Sequence, residues 1–100
     1  YKYHGYDISQ RAYVLENRQP GKSSTLETKI IASKESPVVN MCFVIKGWGE
    51  TGALVMINGQ VQKEDENVRL GKINKIDGTD LLVWIKKHSV TPVNIEIKPN

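Results

Sequence analysis

Apolar and polar residues alternate one for one in several short stretches of this chain, and this pattern limits the possible folds more than any other feature. Residues 25–32 alternate in this way, and residues 93–98 repeat the pattern directly after Pro92. Successive side chains of a β-strand point to opposite faces, so such alternation predicts half-buried strands. No window of ten or more residues has the apolar spacing of an amphipathic helix. The sequence therefore predicts an all-β protein.

Further strands and turns follow from local composition. Residues 38–45 and 81–85 are apolar at nearly every position, as expected of strands covered on both faces. Asn58-Gly59 supplies the positive φ angles of a type I′ turn, which predicts a hairpin over residues 53–63. Residues 12–15 and 68–73 are weaker strand predictions, and residues 1–10 are expected to be a lead-in held by its tyrosines. We predict one domain over residues 1–100, an antiparallel β-sandwich of seven to eight strands, immunoglobulin-like or jelly-roll-like.

A sandwich of this kind buries one face of each sheet, and alternation predicts which side chains point inward. For residues 38–45 and 81–85 the choice of face stays open, because both alternating sets are apolar. The predicted inward residues are Leu26, Ile30, Val39, Phe43, Ile45, Leu54, Met56, Leu82, Trp84, Val93, Ile95 and Ile97.

Charge and composition argue against several classes of function. The net charge is +3, with 7 basic and 5 acidic residues in the first half and 7 and 6 in the second. This even spread leaves no basic face for a nucleic acid. The longest apolar run is far shorter than the roughly 18 residues of a membrane helix, so no membrane insertion is expected. His4 and His88 lie in hydrophilic segments, and the single Cys42 is expected to be a small buried hydrophobe. We predict a non-catalytic domain without a cofactor.

Two acidic clusters and one glycine-rich segment have ordinary structural explanations. The acidic residues at 64–66 and 77–80 lie beside predicted turns and are expected to be solvated. A calcium site at these turns is the alternative, although neither cluster has the twelve-residue spacing of an EF-hand. No metal site is predicted. Gly47-Trp48-Gly49 has no following Lys-Ser/Thr, so we expect a sharp bend there rather than a phosphate loop.

Aromatic residues supply the candidate ligand contacts. Sugar rings stack on exposed aromatic faces, so a glycan would be expected at Trp48 first and at Tyr3 and Tyr6 next. Packing is the expected role of Trp48, and docking against another domain is the alternative for the N-terminal tyrosines. Arg69 and Asp80 both lie at predicted strand ends beside glycine-containing turns. They are expected to form an ion pair that joins two hairpins.

The order of motifs in the second half resembles a known type of module. The motifs are Asn40 to Gly49 (NMCFVIKGWG), Asn58-Gly59-Gln60, Arg69-Leu70-Gly71 and Gly78 to Trp84 (GTDLLVW). This order resembles the C-terminal β-sandwich modules of large secreted proteins from polysaccharide-degrading bacteria, over about sixty residues. The resemblance implies an accessory role and a secreted or extracytoplasmic address (periplasm or cell surface). It carries no defined binding residues to this chain.

The expected function is that of an accessory module of a secreted, carbohydrate-active protein. The chain begins at Tyr1 rather than Met, so we expect an excised piece of a larger protein whose neighbouring domain is the partner. A carbohydrate-binding module that binds polysaccharide on its own is one alternative. An immunoglobulin-like protein–protein interaction domain is another.

Overall fold

The computed structural model describes residues 1–7, 9, 12–18, 24–35, 37–62, 67–76 and 78–100. These residues form nine strands, where the sequence predicted seven or eight. The strands are β1 (Lys2–Asp7), β2 (Ala12–Glu16), β3 (Leu26–Ile30), β4 (Val38–Lys46), β5 (Ala53–Ile57), β6 (Gln60–Gln62), β7 (Val68–Lys75), β8 (Gly78–Ser89) and β9 (Val93–Pro99).

The strands form two sheets, one with the order β1-β2-β4-β8-β7 and the other with the order β3-β9-β5-β6. The all-β class is therefore confirmed. A wholly antiparallel arrangement is wrong, because β2 and β4 pair in parallel. The cause lies in the strand between them. β3 belongs to the other sheet, so the chain crosses over before it returns beside β2.

The N-terminal segment is a strand and not merely a packed lead-in. β1 pairs antiparallel with β2, and the pairing shifts register between Tyr3 and Gly5. Gly5 has φ 88°, a left-handed conformation that glycine adopts without a steric penalty. The pattern of this segment did not predict a strand because its side chains are mostly exposed and polar or tyrosine.

Apolar side chains from both sheets meet in one core, which gives the sandwich-like arrangement. Seven of the predicted inward residues are buried there and confirm that part of the prediction. They are Leu26, Ile30, Phe43, Ile45, Val93, Ile95 and Ile97.

The predicted face of β5 is wrong. Val55 and Ile57 are buried in the core, whereas Leu54 and Met56 lie on the opposite face and are partly exposed. All four residues are large and apolar, so hydrophobicity alone does not distinguish the two faces.

The prediction of which β8 side chains point inward is also wrong, because residues 81–85 are apolar on both faces. Leu81, Val83 and Ile85 are the buried residues of this strand. Leu82 and Trp84 point to the outer face, and Trp84 is 37% exposed instead of belonging to the core.

The outer face of the five-stranded sheet carries a second, smaller cluster. Ala12, Val14 and Val44 are buried there, with Cys42 and Leu82 partly buried against them. This cluster explains why residues 41–45, and in part residues 81–85, carry apolar side chains on both faces.

Val39 is a further correction, because it is exposed instead of pointing inward. The pairing of β4 with β8 shifts register between Val39 and Met41. Val38 therefore packs against the core in its place. A bulge of this kind changes which residues face inward, and alternation along one strand cannot predict it.

The predicted β5–β6 hairpin is present. Asn58 has φ 51° and Gly59 has φ 81°, so both central residues have the positive φ that a type I′ turn requires. The Asn58 backbone N–H also donates to the Asn94 carbonyl at 2.8 Å. The turn is thus attached to the neighbouring β9.

Some predictions lie outside the described residues. These are the acidic run at 64–66, Asp77, and most of the loop expected at 19–24. The calcium alternative at these turns therefore stays a prediction. None of the described residues belongs to a helix with the length and apolar character that crossing a bilayer requires.

Candidate functional site

Trp48, the first residue predicted to contact a glycan, lies inside the core. Its side chain is 0% exposed, and its indole N–H donates to the Thr51 carbonyl at 3.1 Å. Gly47 and Gly49 flank it with φ 71° and 106°, conformations that favour glycine. The two glycines let the chain turn so that the ring enters the core, and the buried ring presents no stacking face to solvent.

Asp80 holds this glycine-flanked turn in place. One carboxylate oxygen accepts the Gly47 backbone N–H at 3.1 Å, and the other accepts the Lys75 ammonium at 2.8 Å. The predicted partner was Arg69, and that prediction is wrong. Arg69 pairs in register with Trp84 and Asp80 with Ile73, so four residues of β7, roughly 13 Å, separate the two positions.

Two other segments also form hydrogen bonds with the backbone of this turn. The Gly49 N–H donates to the Thr79 carbonyl at 3.2 Å. The buried Asn17, just after β2, donates from its side-chain amide to the Gly47 carbonyl at 3.1 Å. The Gly-Trp-Gly and Gly-Thr-Asp motifs are thus neighbours in space, and their role here is structural.

Tyr3 and Tyr6, the other predicted contact residues, lie on β1 and are exposed by 60% and 52%. Tyr6 contacts the ring of Tyr13 edge-on, with centroids 5.1 Å apart. Tyr13 in turn stacks on the core residue Phe43 at 5.5 Å. An aromatic chain therefore runs from the exposed edge strand into the core, and it holds Tyr6 in a defined orientation.

A cavity of about 400 Å³ lies between the N-terminal strands and β3. Its lining includes Tyr1, Tyr3 and Tyr13 on one side and Thr28 and Lys29 on the other. The Tyr1 hydroxyl donates to the Ser24 carbonyl at 2.7 Å and thereby connects the start of the chain to the segment before β3. This cavity combines aromatic walls with polar groups.

A second cavity of about 330 Å³ shares the walls Tyr13 and Ile30 with the first. Its lining includes the large side chains of Tyr6, Ile31 and Val39. Ile31 is 71% exposed and Val39 is 57% exposed. We call the two cavities together, with Tyr3, Tyr6, Tyr13, Ile31 and Val39, the tyrosine groove.

Ionisable groups near the groove have shifted pKa values. Burial raises the pKa of the Tyr13 hydroxyl, and the nearby Tyr3 and Tyr6 raise it further. The thiol of Cys42, which also lines the second cavity, has a pKa raised by burial, so it is a poor nucleophile at neutral pH. The Tyr13 hydroxyl is therefore uncharged near pH 7.

The histidines do not contribute to the tyrosine groove. The His4 ring is hydrogen-bonded to the Glu16 carboxylate at 2.8 Å, and this hydrogen bond lowers the pKa of the Glu16 carboxyl. His88 is an exposed residue of β8. Within the described ranges, no group of three or more histidine, cysteine, aspartate or glutamate side chains is arranged to hold a metal ion.

The sequence pattern missed two of the groove residues, Ile31 and Val39. One signal for Ile31 was available. Ile31 continues the alternating set of Thr25, Glu27 and Lys29. It is therefore an apolar residue on the polar face of residues 25–32. Val39 had no such signal, because its exposure depends on the register shift within β4.

Comparison with known proteins identifies no relative of this chain. No family model matches it, and neither the curated proteins nor the solved structures give a significant match.

Proposed function

We propose that this domain is a non-catalytic accessory module of a secreted, carbohydrate-active protein, and that it docks against a neighbouring domain of that protein. The observation that carries the proposal is the cluster of exposed apolar residues on one cavity. Tyr6, Ile31 and Val39 are each more than half exposed and line the same space. Contiguous exposed apolar surface of this kind is typical of interaction sites.

The chemistry of the groove favours a protein surface as the partner. Tyrosine is enriched at protein interfaces because it offers a large, rigid contact area with one polar tip. The contacts of Tyr13 with Tyr6 and Phe43 fix the aromatic wall before any partner arrives. A preformed wall loses less conformational entropy on association than a mobile one does.

Hydrogen–deuterium exchange tests this proposal. We would compare the isolated domain with the complete product of its gene, and follow peptides from residues 1–7 and 26–40. Docking predicts slower exchange there in the complete protein, with no change in β7 peptides. Equal exchange of the groove peptides in the two forms would contradict docking through this surface.

A pair of matched variants adds a second measurement. Ile31→Ser removes an apolar side chain from the groove, whereas Ile76→Ser removes an equally large, fully exposed isoleucine at the turn after β7. In the complete protein, Ile31→Ser should abolish the exchange protection and Ile76→Ser should retain it. If both variants behave alike, the apolar contact at the groove is not what joins the domains.

A carbohydrate-binding module is the second candidate, supported by the first cavity. There the exposed Tyr3 ring lies with Glu27, Thr28 and Lys29, which provides a stacking face and hydrogen-bonding groups together. Isothermal titration with neutral oligosaccharides distinguishes the two candidates. Saturable binding that Tyr3→Ala removes would favour this candidate. We also propose that the fold is of the immunoglobulin-like or jelly-roll-like type. An immunoglobulin-like fold would be compatible with a protein–protein interaction domain.

A further inference from the structure

Trp84 is an exposed tryptophan near the middle of β8, on the outer face of the five-stranded sheet. It contrasts with Trp48, the other tryptophan of the chain, which is fully buried. No described residue accepts a hydrogen bond from the Trp84 indole N–H. Trp84 also lines neither cavity of the tyrosine groove. A partly exposed indole offers a large apolar face, together with an N–H donor, to a ligand on this side of the sheet.

Two cations lie beside this ring. Arg69 on β7 is directly opposite Trp84 in the antiparallel pairing, so the two side chains are on the same face, about 5 Å apart at their Cβ atoms. Lys86 lies two residues further along β8 on that face, roughly 7 Å from Trp84. Both cations are exposed, and neither forms an ion pair with any described residue.

Three described acidic residues of the same face have partners away from Trp84, and the first of them, Asp7, accepts hydrogen bonds from Ser9. Glu16 is paired with His4, and Asp80 is paired with Lys75. Gly71 lies diagonally next to Trp84 and has no side chain. A Cβ placed on Gly71 would meet the Leu82 side chain at 3.9 Å, which is an ordinary van der Waals contact, so Leu82 borders this position. The described surface around Trp84 therefore combines an exposed aromatic ring with two exposed cations, Arg69 and Lys86.

We propose that this surface binds an acidic oligosaccharide whose sugar rings carry carboxylates. The apolar C–H face of one sugar would stack on the Trp84 indole. The guanidinium of Arg69 would bind the carboxylate of that sugar through two parallel hydrogen bonds, and Lys86 would contact the charge of the next sugar. A uronic acid places an apolar ring face and a carboxylate on one rigid unit, which fits the close spacing of Trp84 and Arg69. An acidic peptide has no such rigid combination.

This inference is separate from docking through the tyrosine groove, and its test uses the isolated domain. Fluorescence reports on the site directly, since Trp48 is buried and Trp84 is the accessible fluorophore. We would titrate the domain with oligogalacturonate and with a neutral oligosaccharide of equal length. The expected result is a saturable fluorescence change with the acidic ligand, weaker at higher salt, and none with the neutral one.

Three variants locate the binding. Arg69→Ala should weaken binding by roughly tenfold or more, because it removes a charge-assisted pair of hydrogen bonds. Trp84→Ala, measured by calorimetry, should abolish detectable binding. Lys34→Ala, an exposed lysine in the loop after β3, removes the same charge elsewhere and should bind as the wild type does.

The proposal fails if oligogalacturonate produces no change, or if Arg69→Ala and Lys34→Ala weaken binding equally. It also fails if the neutral sugar or a single-stranded oligonucleotide binds as tightly as the acidic sugar. None of these outcomes bears on domain docking through the groove, since docking is read from exchange in the complete protein. Binding of the neutral sugar that Tyr3→Ala removes would instead be assigned to the first cavity.

Discussion

Replacing Asp80 by alanine is expected to destabilise the domain strongly, although Asp80 is a charged residue outside the hydrophobic core cluster. Its side chain is only 7% exposed, and both carboxylate oxygens have partners. The Gly47 N–H would lose its acceptor in the variant. The turn that places Trp48 in the core would then lose one of the hydrogen bonds that hold its conformation.

The magnitude follows from the two contacts. A hydrogen bond from a backbone N–H to a carboxylate contributes about 1.5–3 kcal/mol. The ion pair with Lys75 adds at most about 1 kcal/mol, because the lysine side chain is 49% exposed and solvent screens the pair. Asp80→Ala should therefore lower the free energy of unfolding by about 2–4 kcal/mol. Asp80→Asn keeps an oxygen that can accept from Gly47, so it should cost about half as much.

Urea denaturation of the wild type and three variants checks this reasoning. Lys75→Met is the control, and it should cost no more than about 1 kcal/mol, since it leaves the Gly47 bond intact. The expected order of stability is wild type, Lys75→Met, Asp80→Asn and Asp80→Ala, with unchanged denaturant dependence. The reasoning is refuted if Asp80→Ala costs less than Lys75→Met, or if Asp80→Asn and Asp80→Ala are equal.

Two further predictions concern aromatic residues. Trp48→Ala should lower the free energy of unfolding by about 3–5 kcal/mol in urea denaturation, since it leaves a cavity in the core; a loss below about 1 kcal/mol would show that the ring is not packed as described. Tyr13 has a raised pKa in the folded state, so its contribution to stability is complete below its ordinary value of 10.0 and is lost as pH rises through the higher folded value. Urea denaturation between pH 8 and roughly pH 11 should show that the free energy of unfolding falls less with rising pH in Tyr13→Phe than in the wild type. An unchanged pH dependence would contradict the raised pKa of Tyr13.

The positions of most strands could be predicted from the sequence, whereas the faces of two could not. Regular alternation marked β3 and β9, and Asn58-Gly59 marked the β5–β6 turn. In β5 and in residues 81–85 of β8 every position is apolar, so hydrophobicity does not show which side chains point inward. The face is decided there by register with neighbouring strands, which is a tertiary property.

The candidate sites were predictable only in part. Tyr3 and Tyr6 are exposed, as a contact surface requires, because β1 is an edge strand. Trp48 is buried, in agreement with its expected packing role, whereas Trp84 lies on the outer face and not in the core as predicted. The hydrogen bond from the Gly47 N–H to the Asp80 carboxylate joins residues 33 positions apart, and it helps to turn Trp48 inward. Single-sequence patterns do not reveal such a long-range contact, and Trp84 was assigned inward by a wrong choice of face.

The position of β9 in its sheet has a consequence for biosynthesis. β9 lies between β3 and β5, and among the described strands it is the one neighbour of β3. A ribosome makes β3 first and β9 more than sixty residues later. The four-stranded sheet therefore cannot close while β9 is still inside the ribosome. Until β9 has been made, β3 lacks the strand with which it pairs. We therefore expect a chaperone that binds extended apolar segments to recognise the nascent chain.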